Sequence, residues 1–313
     1  MKDIASSVRK VKFGEKITEP GIYVMPMLWY LDDCAIGPSI SSSGLRDIEN
    51  ECPLVYWDKS PLNPNRAPTD DDTAEKKHFR IGRAAHMLAL EPERFAVEIV
   101  TRPSSFDSWR TKEAKAWRAD QQRAGCTVLD PPEMAQVQGI AKALKDHPYH
   151  QDGILDGLIE CSIIWQDKKS GIWLKARPDA IPTHSRMVVD IKTMASAHPR
   201  SVAFAIADFA YDMQLVLMGI GLKAVLDFDV DDYAVMAVQA TRPHPICVQP
   251  LRGYEIVMAR RRLRRSINTF AECLRTGYWP GYEWADGLEY KMPGYMAERL
   301  EQELKSGLLP KEF

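Results

Sequence analysis

Three runs of the chain carry strand periodicity. Residues 158–165 alternate as Leu, Ile, Glu, Cys, Ser, Ile, Ile, Trp, residues 172–179 continue in the same manner, and residues 187–192 open on an apolar Met-Val-Val run. The turn sequence Lys168-Lys169-Ser170-Gly171 predicts a hairpin between the first two runs, and Pro182-Thr183-His184-Ser185 predicts a turn into the third. In such a hairpin Glu160 and Asp179 come level far from the turn, and Asp179 and Asp190 fall on neighbouring strands. Two later strands are predicted at 233–240 and 246–251.

Helical periodicity fills the intervals. Asp130-Pro131-Pro132-Glu133 reads as a cap, two first-turn prolines and a first-turn acid, ahead of a buried stripe of Met134, Val137, Ile140, Ala141 and Leu144 that ends before Pro148. Gly82, Ala85 and Ala89 form a narrow stripe of small residues that lets a helix approach a sheet closely, with His86 beside it. Further helices are predicted at 211–219 and 253–273. The Pro-punctuated stretch Lys59–Asp72 reads as a loop. Mixed strands and helices predict an α/β fold with a mixed central sheet flanked by helices.

Composition narrows the setting. The chain has 313 residues and balances 41 basic against 43 acidic residues, net charge −2, so no global basic field marks it as a nonspecific nucleic-acid binder. The densest basic run, Arg260, Arg261, Arg262, Arg264 and Arg265, spreads around more than half of its predicted helix and reads as a solvated face, a subunit contact or a local grip on duplex backbone. Six scattered cysteines offer no pair at metal spacing, as expected of reduced thiols. With no signal-like start and no apolar run of membrane-spanning length, a cytoplasmic protein without membrane contact is expected. The expected organisation is one domain: about 1–75 an N-terminal decoration, about 76–277 a catalytic core, about 278–313 a tail whose Trp279, Tyr282, Trp284 and Tyr290 would cover the core edge, the favoured reading, or stack on a neighbouring subunit or exposed bases.

The chemistry concentrates at Asp190 and Lys192. Positions i and i+2 of a strand share a face, so acid and amine enter one pocket while Val189 and Ile191 face the opposite layer. A carboxylate at the end of an apolar run is costly unless paired or bound to a metal. A hard cation suits it, because Mg2+ held by one or two carboxylates keeps waters that substrate phosphate can displace. Beside it Lys192 could position or deprotonate a water, or neutralise charge developing on phosphoryl oxygens.

Arg177-Pro178-Asp179-Ala180-Ile181 followed by Val188-Val189-Asp190-Ile191-Lys192-Thr193 resembles the core signature of the PD-(D/E)xK nuclease superfamily, a restriction-endonuclease-like fold. The segment from Ile81 to Phe95, with His86 at its centre, is similar to the helix that supplies a metal-binding His in the RecB and RecE branches. It most resembles the RecE-like (exonuclease VIII) phage-type exonucleases, as does Ile40-Ser41-Ser42-Ser43-Gly44-Leu45. The order helix, hairpin, strand, helix, strand is the one expected of that core, and the resemblance runs from about residue 20 to about 277.

The resemblance implies a site in which His86, Asp179, Asp190 and the Ile191 carbonyl hold Mg2+ or Mn2+, Glu160 serves a second metal or the attacking water, and Lys192 activates the nucleophile. RecB-like nucleases carry a Gln followed four residues later by a Tyr. Here Gln214 is present and Met218 replaces the Tyr, leaving Gln214, Tyr211 and Arg177 as candidate DNA contacts. A RecE-like enzyme would be a Mg2+-dependent exonuclease on the ends of linear double-stranded DNA, 5' to 3', leaving 3' single-stranded tails for recombination. It would act as a ring-shaped homo-oligomer beside a single-strand annealing protein. An endonuclease or repair nuclease on the same core, and a catalytically silent DNA-binding or assembly subunit, remain open alternatives.

Overall fold

The computed structural model describes residues 5–66, 77–282 and 291–308. Its chain divides into two compact units, Met1–Trp279 and Pro280–Phe313. The larger unit is a mixed α/β fold. Five strands, β1 (Val8–Lys10), β2 (Gly21–Val24), β7 (Ser162–Gln166), β8 (Trp173–Ala176) and β3 (Ser39–Ser41), form one mixed sheet in that spatial order. A second mixed sheet runs β10 (Met187–Met194), β11 (Asp232–Gln239), β12 (Ile246–Leu251), its first pair parallel and its second antiparallel. Two short ladders complete the set: β4 (Ile99–Thr101) with β5 (Thr127–Leu129), and β6 (Gly157–Ile159) with β9 (Ala180–Pro182).

Helices cover the second sheet on both faces, and the side-chain alternation of β10 shows how. Val189 and Ile191 enter a core shared with α4 (Lys77–Leu90) and α7 (Pro131–Asp146), while Val188 enters a larger core with α10 (Tyr211–Leu226) and α11 (Tyr254–Thr276). The α7 boundaries follow the sequence expectation. Asp130 and Glu133 form a reciprocal capping box, and Val137, Ile140, Ala141 and Leu144 are buried, with Met134 at the margin. The small-residue stripe of α4 also acts as expected, since a Cβ on Gly82 would lie 3.5 Å from the Thr193 side chain of β10. On the other face α10 crosses both sheets, and a Cβ on Gly221 would fall 2.6 Å from the Trp165 ring of β7.

Several expectations change. The predicted strand at 158–165 breaks into β6 and β7 because Glu160 adopts a left-handed backbone (φ 51°), which turns the chain between two different ladders. The hairpin register holds for β7 and β8, with Trp165 opposite Leu174. The run at 172–179, however, leaves strand conformation after Ala176 and resumes as β9, so Asp179 sits in the link between them. The two acids are therefore not on neighbouring strands: β8 and β10 belong to different sheets. Residues 1–75, expected as a decoration, supply β1 to β3 and, through α2 (Ser42–Asn50), Leu45 and Ile48 of the main core. Of the expected loop Lys59–Asp72, residues 67–72 lie outside the described residues, as do Trp284 and Tyr290 of the tail. Trp279 stacks on Trp57 of α3 (Pro53–Lys59) at 4.3 Å and is buried.

Three arginines of the run pair with acids of the same chain, while Arg260 and Arg261 lie on the exposed face. Arg262 reaches Glu49 at 3.0 Å and Asp212 at 3.1 Å, Arg265 also pairs with Glu49, and Arg264 grips Asp167 of the β7–β8 turn through two bonds of 2.7 and 2.8 Å. Hydrogen bonds from Arg264, then from Ser170, hold the Asp167 carboxyl well below the usual carboxylate range. A carboxyl lowered by folding stabilises the fold above its unfolded pKa and loses that contribution as pH falls. Arg264→Ala is expected to cost about 1–2 kcal/mol in urea unfolding at neutral pH, after discounting for its partial exposure. The deficit should narrow below about pH 4. Equal midpoints of variant and parent at neutral pH would contradict this role.

Candidate active site

The site lies along the free edge of β10. Asp190 and Lys192 share the face turned toward α10, with Lys192 Nζ 2.5 Å from Asp190 Oδ2. Asp190 is 1% exposed, and its Oδ1 accepts a 2.9 Å hydrogen bond from Gln214 Nε2 of α10. Asp179 comes over the strand edge, where its Oδ2 accepts from the Ile191 backbone N–H at 2.6 Å. The N–H and C=O of a strand residue leave by the same edge, so the Ile191 carbonyl also faces Asp179. His86, on α4 against the opposite face, reaches the same edge with Nδ1 3.8 Å from Asp179 Oδ1.

The charges do not balance. Burial pushes the Asp190 carboxyl up, Lys192 pulls it down, and Asp179 raises it again. For Lys192 burial works downward, but attraction to Asp190 and then Asp179 outweighs it, and the ammonium is held more firmly protonated than usual. Asp190 rises chiefly because it is buried, whereas Lys192 rises because two carboxylates attract one ammonium. That leaves a surplus negative charge in a desolvated place, the condition a cation relieves.

Glu160 occupies the next position. Its backbone N–H donates to the Asp179 carbonyl at 3.1 Å, so the two residues are level through the β6–β9 ladder rather than through the predicted hairpin. Burial, then repulsion from Asp179, pushes its carboxyl up to about 7, against the pull of Arg177. Between about 4.5 and about 7 the folded chain binds more protons here than the unfolded one, so stability falls as pH rises through that window. Glu160→Gln is expected to flatten this slope and to gain about 2 kcal/mol near pH 7. Urea midpoints of parent and variant across that window measure it, and parallel curves would remove the burial argument.

The expected DNA contacts are engaged within the protein. Arg177 Nε donates to Glu160 at 3.1 Å, and its side chain is 9% exposed. Gln214 is spent on Asp190, and the Tyr211 ring lies 4.9 Å from Lys192 Nζ. Two cavities meet at His86. One of ≈ 340 Å³ contains Glu160, Arg177, Glu91 and Arg94 in its wall; the other, a cleft of ≈ 820 Å³, contains Lys192, Tyr211, Gln214 and Arg46.

Over residues 41–291 the sequence matches the PDDEXK-like domain of unknown function (DUF3799). The chain belongs to this family. The crystal structure of a protein from Eubacterium rectale, described as a "Putative exonuclease", superposes on this PDDEXK-like fold with a TM-score of 0.54. The superposition covers 83% of this chain and 92% of the other at 12% identity, so the likeness concerns the fold alone. No curated protein matches the sequence.

PDDEXK-like nucleases typically use a divalent metal, and the donor set can be tested for one. Asp190 Oδ2 is buried against Lys192 Nζ at 2.5 Å, and His86 turns Nδ1 toward Asp179. The 3.8 Å between His86 and Asp179 is too long for a hydrogen bond, yet within the span of two ligand bonds of about 2.1 Å to one ion. Among the described residues no group of three His, Cys, Asp or Glu side chains forms a ready cluster. The residues thus fit an open site for a hard cation that keeps waters, not a closed cage.

Lys175 gave a weaker signal in the sequence. It lies on the fully buried strand β8 and donates to the Tyr30 and Asp32 carbonyls at 2.7 and 2.5 Å, holding the end of α1 (Met27–Leu31), whose Met27 lines the smaller cavity. A lysine between Leu174 and Ala176 in an apolar strand was the available sign.

Proposed function

We propose that this protein is a Mg2+- or Mn2+-dependent exodeoxyribonuclease acting on the ends of linear double-stranded DNA. The observation that supports it is the desolvated pair Asp190 and Lys192 beside Asp179 and His86, a cluster with one carboxylate more than its ammonium neutralises. His86, Asp179, Asp190 and the Ile191 carbonyl would hold the cation, which when bound supplies Lewis-acid polarisation of a phosphoryl oxygen. Lys192, kept protonated between two carboxylates, presents N–H donors to a phosphoryl oxygen and offsets charge as it develops there. Gln214 fixes the orientation of the Asp190 carboxylate, and Glu160, whose carboxyl titrates near neutrality, is suited to accept a proton from an attacking water.

The direction, 5' to 3', the resulting 3' tails for recombination, a ring-shaped homo-oligomer and a single-strand annealing partner all rest on the RecE-like resemblance of the motifs. The test compares linear with covalently closed circular duplex, each with Mg2+ or EDTA, and follows 5'- and 3'-labelled strands. Mg2+-dependent loss of the linear form alone, with early release of the 5' label, is expected. Cutting of the closed circle would replace this reading with an endonuclease. Absence of any cleavage with either metal would leave a DNA-binding subunit.

A further inference from the structure

The larger cleft carries features that phosphodiester hydrolysis does not use. Phe79 and Phe209 line it with 61% and 57% of their surface exposed, although large apolar side chains usually withdraw from water. Each is backed by a second ring: His78 lies 4.2 Å from Phe79, and Tyr211 stacks under Phe209 at 5.6 Å with planes 27° apart. The second wall is also cationic. Arg46 donates to the Phe209 carbonyl at 2.9 Å and stands 5.8 Å from the Tyr211 ring, whose surroundings include Lys192. Three acids, Asp47, Glu51 and Asp208, also line the cleft, and Asp47 is neutralised by Lys59 at 2.9 Å.

Helix geometry places this aromatic wall relative to the chemistry. Phe79 precedes His86 on the same face of α4 by two helical turns, a rise of about 10 Å. Stacked nucleotides advance about 3.4 Å each, so the ring stands about three bases from the metal-ligand position. Aromatic faces beside cations recognise unpaired bases strung on phosphates, because every base has a π-face and a closed duplex hides it. From these observations we infer that the cleft between Phe79 and Phe209 is a stacking platform for the bases of a single DNA strand, seating a frayed end rather than intact duplex. This deepens the nuclease reading and rests on it.

Binding in EDTA isolates the platform from turnover. Fluorescence anisotropy with labelled oligo-dT, an abasic strand of equal length and a closed hairpin duplex is measured for parent, Phe79→Ala, Phe209→Ala and the two Phe→Tyr variants. The parent is expected to prefer oligo-dT over both other probes. Each Ala variant should bind oligo-dT roughly 5- to 100-fold more weakly and the abasic strand unchanged, while the Tyr variants retain parental affinity. Because both rings are exposed, the substitutions leave the core intact. Unchanged oligo-dT affinity in both Ala variants overturns the proposal, as does equal parental affinity for oligo-dT and the abasic strand or the hairpin. Base-dependent binding without any cleavage would sink the nuclease reading alone; cleavage with normal binding by the Phe variants would sink the platform alone.

Discussion

Lys192→Met and Asp190→Asn are each expected to lower kcat on linear duplex DNA by roughly 10²–10³-fold or more, the first because a cation aimed at the developing phosphoryl charge is worth that much in a water-poor site, the second because it removes a carboxylate that would hold the metal. The same substitutions carry a stability signature that an ordinary surface pair would lack. Asp190 is 1% exposed and Lys192 Nζ stands 2.5 Å from it, so removing the ammonium leaves a buried carboxylate unpaired and still repelled by Asp179. Breaking a buried pair from one side costs about 3–5 kcal/mol, whereas replacing both partners is often neutral or better. Asp190→Asn with Lys192→Met is accordingly expected to be more stable than Lys192→Met alone, and equally inactive. Urea unfolding in EDTA reads the first statement and single-turnover cleavage the second. If Lys192→Met unfolds at the parental midpoint, the pair is solvated and the argument for a cation-demanding site fails.

Gly157→Ala is expected to cost about 3 kcal/mol and to reduce cleavage about 100-fold, although the residue carries no chemistry. A Cβ at this position would lie 1.9 Å from the Ile181 carbonyl oxygen and 2.8 Å from its carbon, and both are backbone atoms that no rotamer change can withdraw. The β6–β9 ladder would have to open. Three residues later that ladder ends in the bond from the Glu160 N–H to the Asp179 carbonyl, so the displacement passes directly to two site carboxylates. Misplacement of catalytic groups by about 1 Å is enough for a 100-fold loss. Gly82→Ala is the control, because its Cβ would meet only the Thr193 side chain, at an ordinary 3.5 Å. Parental stability in Gly157→Ala would show that the ladder yields without strain.

The site was unevenly legible before the fold was known. Asp190, Lys192 and the inward-facing Val189 and Ile191 follow from the two-residue repeat of a strand, and the structure places them on those faces. The α7 cap and stripe, and the approach of Gly82 to β10, follow equally from local geometry. Glu160 shows where such reasoning fails. The alternation through it continues on paper, but a positive φ breaks the strand there, and no neighbour in sequence announces that. Gln214 and Arg177 are candidate DNA contacts from sequence because a polar side chain in isolation offers no partner; in the fold Asp190 and Glu160 are those partners. The arginine run was ambiguous for the same reason, since Glu49, Asp212 and Asp167 come from elsewhere in the chain.

What the sequence determined by itself is the content of each element and the face on which its chemistry lies, because those depend on the 2.0 and 3.6 repeats built into the backbone. What only the tertiary structure decided is which elements meet. Asp179 reaches Ile191 from the link between β8 and β9, and His86 comes to Asp179 from the far face of the strand. These encounters are set by how the two hydrophobic cores pack around β10, a balance summed over residues far apart in the chain and not carried by any segment alone.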